Sequence, residues 1–327
     1  MNILIADKFE QSGIDGLALL GATVAYQPAV TTEQIPEALR KSESQVLIVR
    51  SKKVPASAIQ AMSNVKGIIR AGAGVDNIDL AAATAKSIAV CNCPGTNAIA
   101  VAELAMAHIL CCDRRLAQQT IDAKAGKWNK KEYGNAKGLK GSTLGIVGMG
   151  AIAKALVKRA KAFDMHILAW SRNLTTAIAA DLGIEYAGST RGDLIEMVGR
   201  CDFVSVHVAG APETKNMCNA EFFAAMKDGA GFVNTSRGSV VDESALTAAI
   251  KSKHLRVGLD VYANQPPTPE ASWSCDLAAL PNVTCTHHSG ASTDQAQEAV
   301  AAEVVRIVSV YIKTNRFVNV VNEPQMK

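Results

Sequence analysis

A chain of 327 residues, 48% apolar and 20% charged, is long enough for two domains that each bury an ordinary core. A net charge of +4, only 5% aromatic residues and no basic block interleaved with aromatics argue against a nucleic-acid surface. The start, MNILIAD, lacks the charged region and long apolar core of a secretory leader, and the apolar stretch AIAVAELAMAHILCC (98–112) carries Glu103 and His108 and is too short to span a bilayer, so a cytoplasmic protein without a membrane partner is expected.

In chain order, strand-like runs over 2–6, 23–26, 46–49, 67–69 and 88–91 are separated by Ala- and Leu-rich helical segments. A helix follows over 97–118, then a Lys-rich, Gly-containing loop over 124–141. A second set of strands is predicted over 143–147, 165–170, 203–208, 231–235, 257–261 and 283–286. This alternation predicts an α/β fold with parallel sheets and crossover helices. The eight cysteines read as reduced packing thiols. Cys91/Cys93 and Cys111/Cys112 lack the paired spacing of a zinc site, so no metal is expected.

The sharpest local signal is TLGIVGMGAIAKALVKRAKAF (143–163). A strand enters Gly148, Gly150 and Ala153 as G-x-G-x-x-A, and the next helix keeps Ile152, Leu156, Ala160 and Phe163 on one face. Gly148 permits the tight turn, Gly150 close approach of a pyrophosphate, and Ala153 close helix packing, the arrangement of a dinucleotide site. The following strand ends at Ser171, Arg172 and Asn173, where an acidic residue would bind a ribose 2′-hydroxyl. None is present, and Ser171 with Arg172 leans toward NADP, with NAD as the alternative.

Ligands of open α/β sheets bind beyond the carboxyl ends of the strands. There the chain presents Ala209 and Gly210, Ser236 and Arg237, Asp260 and Gln265, then His287 and His288. An arginine suits a carboxylate and a histidine can carry a proton near neutrality, so the set suggests hydride transfer on a hydroxyacid.

LIVRS (47–51), RAGAGVDNIDL (70–80), GIVGMG (145–150), NTSRGSVVDE (234–243), LDVY (259–262) and HSGASTDQAQE (288–298) are collinear over most of the chain. Through them the sequence resembles the D-2-hydroxyacid dehydrogenases, and within that family the D-3-phosphoglycerate dehydrogenases. The resemblance implies a Rossmann cofactor domain (97–288) inserted into a flavodoxin-like substrate domain (1–96 plus 289–327), with substrate in the cleft and dimerisation through 97–141. It implies that Arg237 binds the substrate carboxylate and that His288 is the acid/base, with His287 a mere loop residue. It further implies carboxylate binding by the backbone of Ala73, Gly74 and Val75, phosphate binding by Arg50 beside Lys52, Lys53 and Arg70, and a substrate contact at Asn97. Cofactor contacts are implied at Gly148, Gly150, Ala151, Ile152, Ser171, Arg172, His207, Thr235, Asp260 and Gly290. With the chain ending soon after Val320, no C-terminal regulatory domain and no serine feedback through one are expected.

The sequence departs from the family at one telling place. Where the family has a glutamate bonded to the catalytic histidine, this chain has Gln265, and prolines separate that position from Glu270. A neutral amide can orient His288 but cannot stabilise its imidazolium, so the ring is expected to titrate nearer to or below the ordinary value of about 6.5. The expected activity is oxidation of 3-phosphoglycerate or reduction of 3-phosphohydroxypyruvate in serine biosynthesis. Alternatives are a glyoxylate or hydroxypyruvate reductase, a formate dehydrogenase-like enzyme, and a non-catalytic NAD-sensing, corepressor-like module.

Overall fold

The computed structural model describes residues 1–266 and 270–323; Pro267, Thr268, Pro269 and the last four residues lie outside the described set. Two compact units emerge: Met1–Asn97 joined by the chain from Ser292 onward, and Ala98–Ala291. The first unit opens with β1 (Asn2–Ile5), α1 (Gln11–Leu19), β2 (Thr23–Tyr26), α2 (Ile35–Lys41), β3 (Val46–Val49), α3 (Ala56–Ala61), β4 (Gly67–Arg70), α4 (Leu80–Ala85) and β5 (Ala89–Cys91). The second holds α5 (Ala98–Arg114), α6 (Leu116–Lys124), α7 (Lys130–Tyr133), β6 (Thr143–Val147), α8 (Ala151–Ala162), β7 (His166–Trp170), α9 (Thr176–Leu182), β8 (Glu185–Tyr186), α10 (Arg191–Arg200), β9 (Phe203–Val206), α11 (Ala220–Ala225), β10 (Gly231–Asn234), α12 (Glu243–Lys253), β11 (Arg256–Leu259) and β12 (Val283–Cys285). The last helix, α13 (Asp294–Thr314), belongs to the first unit.

Both sheets are parallel. The first has the order β2-β1-β3-β4-β5, the flavodoxin-like arrangement. Its central strand β3 reads VLIV and is buried along its whole length, as a strand covered on both faces must be. Helix α13 lays Val300, Val304, Ile307 and Val308 on one face of that sheet. It packs close to α1 at Gly13, where a Cβ would stand 3.0 Å from the Ala301 methyl.

The second sheet runs β12-β11-β10-β9-β6-β7-β8. Strand order therefore reverses between β6 and β9, which puts a topological switch point at the carboxyl ends of those two strands. On one side of the sheet Phe222, Phe223 and Phe232 meet edge to face, with centroids 5.1–6.1 Å apart. On the other, α5 and α8 bury Ala105, Ile109, Leu156 and Ala160. Polar caps fix the helix starts, among them the Thr190–Asp193 capping box of α10.

Several expectations need correction. The helix expected over 97–118 is two helices, broken at Arg115, which adopts φ +53°; α6 then carries no buried residue at all. The loop over 124–141 contains the short helix α7, started by the Asn129 side chain accepting from the Glu132 amide. Phe163 does not join the buried face of α8 but caps its end 42% exposed, while Ala153 and Val157 complete that face. β8 was missed because a two-residue edge strand has no periodicity to read.

All eight cysteines are free, and Cys91, Cys93, Cys112, Cys201 and Cys218 are buried. Burial pushes Cys91 and Cys201 up to about 12 and Cys93 to about 11, so these thiols pack as small hydrophobes. Among the described residues, no cluster of His, Cys, Asp and Glu could hold a metal ion, and no helix is long and apolar enough to cross a membrane.

Candidate active site

In the second unit the turn from β6 to α8 is the first element of the site. Gly148 sits at φ +93°, and a Cβ there would lie 2.8 Å from the His207 carbonyl oxygen and 2.9 Å from Val208 Cγ1. Only glycine fits, because β9 ends directly against the turn. Gly150 differs: its φ is an ordinary −82° and nothing lies within 4 Å of its would-be Cβ. The protein leaves that space open in front of Ala151 and Ile152. No side chain caps α8 and no acid stands in its first turn, so its amides are available to an anion.

Beyond that turn, Ser171 is buried and its hydroxyl accepts from the Asn173 amide, while Arg172 and Asn173 are exposed. His207 closes the other side, its Nε2 2.9 Å from Ser205 Oγ. Burial pushes this imidazole down to about 4, leaving it neutral. Thr235, after β10, is 7% exposed with a buried hydroxyl that has no hydrogen-bond partner. An open glycine turn, an uncapped helix N-terminus and an orphaned hydroxyl at adjacent strand ends fit a dinucleotide.

The loops after β9, β10 and β11 interlock. Gly210 packs on the Arg237 stem, where a Cβ would stand 3.0 Å from Arg237 Cγ. Gly238 meets the Tyr262 carbonyl, which a Cβ would approach to 2.2 Å. Buried Asn234 shapes the turn, accepting from the Ser236 amide and hydroxyl and donating to the Arg237 carbonyl at 2.9 Å. Arg237 Nη1 donates to the Ser236 carbonyl at 2.8 Å.

Gln265 and His288, 23 residues apart, are brought together: Gln265 Nε2 lies 2.7 Å from His288 Nδ1. Gln265 Oε1 accepts from the Tyr262 amide at 3.3 Å, which selects this amide orientation. Tyr262 is anchored through its hydroxyl to the carbonyls of Leu259 and Thr286, each at 3.1 Å. His288 is exposed with φ +52°, and its amide donates to the Asp260 carbonyl at 2.8 Å. Asp260, 1% exposed, accepts from the amides of Ser289 and Gly290, each at 2.9 Å. His287 is exposed.

The first unit shows a separate polar cluster. Asp7, after β1, accepts with Oδ2 from the amides of Arg50, Ser51 and Lys52 at 2.8–3.0 Å and so fixes the loop after β3. Lys52 is not a free cation, because its ammonium donates to the carbonyls of Pro28 and Val30. The Arg70 guanidinium lies against Gly72, where a Cβ would stand 1.7 Å from Nη1. The amides of Ala73, Gly74 and Val75 have no hydrogen-bond acceptor among the described residues, while Asn92 Nδ2 holds the Ala73 carbonyl at 2.6 Å. Asn97 is half-buried just before α5.

Sequence reasoning overlooked Asp7, Tyr262 and Thr286. A carboxylate one residue past a buried strand, as in NILIAD, is the signal that could have found Asp7. Tyr262 stands in the LDVY motif without a role assigned to it, and no local pattern marks Thr286.

A model of the D-isomer specific 2-hydroxyacid dehydrogenase NAD-binding domain matches residues 106–290. The chain is 37% identical, over its whole length, to a D-3-phosphoglycerate dehydrogenase of Methanocaldococcus jannaschii, of which it covers 60%. It is 44% identical over 80% of its length to a hydroxypyruvate reductase of Thermotoga maritima, covering 83% of that protein. Among solved structures, the NADPH-dependent glyoxylate/hydroxypyruvate reductase of Sinorhizobium meliloti, in complex with NADP and malonate, superimposes with TM-score 0.80 at 26% identity, covering 98% of this chain and 96% of that one.

Proposed function

The chain belongs to the D-isomer specific 2-hydroxyacid dehydrogenase family, and from that premise we propose that it transfers hydride between NAD(P) and C2 of a D-2-hydroxyacid, with 3-phosphoglycerate and 3-phosphohydroxypyruvate as the substrate pair. The observation that carries the reading is the Gln265–His288 contact on strand ends of the same sheet that presents the G-x-G-x-x-A turn. A nicotinamide dinucleotide held at the Gly148–Ile152 turn and Thr235 would supply a hydride acceptor for oxidation and a hydride donor for reduction. Arg237 holds the carboxylate and draws electron density toward the C2 oxygen. In oxidation, neutral His288 takes the hydroxyl proton on Nε2; in reduction, its imidazolium returns that proton to the keto oxygen.

Gln265 shapes the proton step. While its Oε1 accepts from Tyr262, its Nε2 donates to His288 Nδ1, which favours a neutral ring with the proton on Nε2. In that state Nε2 is already protonated; both the base form, with its proton on Nδ1, and imidazolium need an acceptor at Nδ1, so the amide must rotate for His288 to take or return a proton at Nε2. A glutamate in that place would always accept.

Arg50 and the free amides of Ala73, Gly74 and Val75 are the proposed ligands for phosphate and carboxylate, a nest of successive N–H groups being a ready anion site. NADP is the proposed preference, because Arg172 is exposed and no acidic residue follows β7. A reductase of hydroxypyruvate or glyoxylate is the second reading, favoured by the identity to the Thermotoga maritima protein. The proposed assembly is a homodimer through the region 97–141, where Ile99 on α5, Leu116 and Ile121 on α6, and Trp128 in the loop after it are exposed.

The test is kcat/KM for 3-phosphohydroxypyruvate against hydroxypyruvate with NADPH and with NADH. A preference of about a hundredfold for the phosphorylated substrate, some 2.7 kcal/mol, supports the first reading. Equal or reversed preference moves the assignment to the second.

A further inference from the structure

His108 lies within the apolar run of α5, between Met106 and Ile109, and is 2% exposed. Its Nε2 stands 3.1 Å from Thr286 Oγ1, and Thr286 Oγ1 is 2.6 Å from Asp260 Oδ1. Of the two acceptors in reach of the threonine hydroxyl, the Asp260 carboxylate at 2.6 Å is much nearer than the Leu259 carbonyl at 3.4 Å, so the single threonine proton goes to Asp260. The threonine oxygen must then accept from His108, which fixes the ring with its proton on Nε2. Burial holds the imidazole below its ordinary value, with Asp260 opposing, in keeping with a neutral ring. Gly258 makes room for it, since a Cβ there would stand 2.6 Å from His108 Cβ. What Asp260 holds in turn is the loop of His288, through the amides of His288, Ser289 and Gly290.

We infer that His108 is a positioning residue for hydride transfer: through Thr286 it fixes Asp260, and Asp260 fixes the left-handed loop that keeps the His288 ring on Gln265. This rests on the reading of His288 as the acid/base. A leucine would fill the same volume in α5, but it would leave Thr286 Oγ1 without its donor and the carboxylate less firmly placed. The ring is thus valued for one N–H on the far side of the loop's anchor.

The test compares His108→Leu, His108→Gln, Thr286→Val and the double variant His108→Leu/Thr286→Val. Each is read by kcat and KM for the 2-keto acid, by dinucleotide affinity, and by hydrogen exchange of the Ser289 and Gly290 amides in the unliganded protein. Expected for His108→Leu and for Thr286→Val is a fall in kcat of about tenfold, larger than any change in dinucleotide affinity, and exchange of both amides faster by about tenfold. His108→Gln, which keeps an N–H in reach, restores both, and the double variant is no worse than either single one. Wild-type exchange rates in His108→Leu, additive losses, or a glutamine as poor as leucine would overturn the relay. Should His108→Leu fail to fold, Thr286→Val against Thr286→Ser carries the same comparison. A wild-type protein that turns over no 2-keto acid overturns the catalytic reading alone, because the two exchange rates still decide the relay.

Discussion

At Gln265 the chain sets an uncharged amide 2.7 Å from a histidine nitrogen, and exchanging that one nitrogen for oxygen has a definite sense. Gln265→Glu supplies a negative charge beside the ring, which favours imidazolium; the pH dependence of ketoacid reduction should move upward by about one unit or more, and oxidation should lose rate on its acid side. Rate profiles of the variant and wild type over pH 5–9 check this, and coincident profiles sink it. His207 gives a second pH-dependent term, in stability. Its imidazole is held at about 4 in the fold against about 6.5 in the unfolded chain. The unfolded state therefore takes up the proton first as pH falls: the contribution is fully present above about pH 6.5, declines below it and is gone near pH 4, amounting to at most about 3.4 kcal/mol. Urea unfolding of His207→Gln across that window should show a flatter acid limb than wild type.

At the scale of elements, the two glycines of the β6–α8 turn have different duties. Gly148→Ala forces a side chain into the left-handed region and against a carbonyl, at a cost of about 1–3 kcal/mol, so both melting temperature and dinucleotide affinity should fall. Gly150→Ala meets no atom of the protein, so it should leave the melting temperature nearly unchanged and weaken the dinucleotide by tenfold or more, on the order of 1.4 kcal/mol. Calorimetry with and without nucleotide separates the two; equal effects in both variants would contradict the assignment. That turn was legible because a continuous apolar strand, spaced small residues and an amphipathic helix follow one another within 21 residues. Parallel strands such as VLIV read well for the same reason, being buried on both faces. The break at Arg115 was not legible, since neither glycine nor proline marks it and the polar helix after it buries nothing. Nor was the Asp7 clamp, whose partners lie 43–45 residues away and are backbone amides that any residue carries. Gln265 and His288 could be paired in advance only through the family pattern.

For the whole molecule, the second unit is one uninterrupted stretch of chain while the first is assembled from both ends. Within the first, the Asn322 side chain accepts from the Val90 amide at 2.8 Å, and Cys91 bridges to Val320, tying the C-terminal segment to the edge of the sheet. The exposed Ile121 and Trp128 are 66% and 89% accessible, too much apolar surface near α6 to be left to water without purpose. If this face joins two copies, Ile121→Glu with Trp128→Glu should halve the sedimenting mass at micromolar concentration, whereas an unchanged mass would relocate or remove the interface. The buried thiols carry a last consequence. Thiolate is the reactive form, and at about 11 to 12 its share at neutral pH is about one part in ten thousand or less. An alkylating reagent therefore modifies these side chains only when the surrounding layers open. Cys91 and Cys93 report on one unit, and Cys112, Cys201 and Cys218 on the other. Timed labelling followed by mass spectrometry would read two internal clocks in a single polypeptide, one for each half, with no engineered probe.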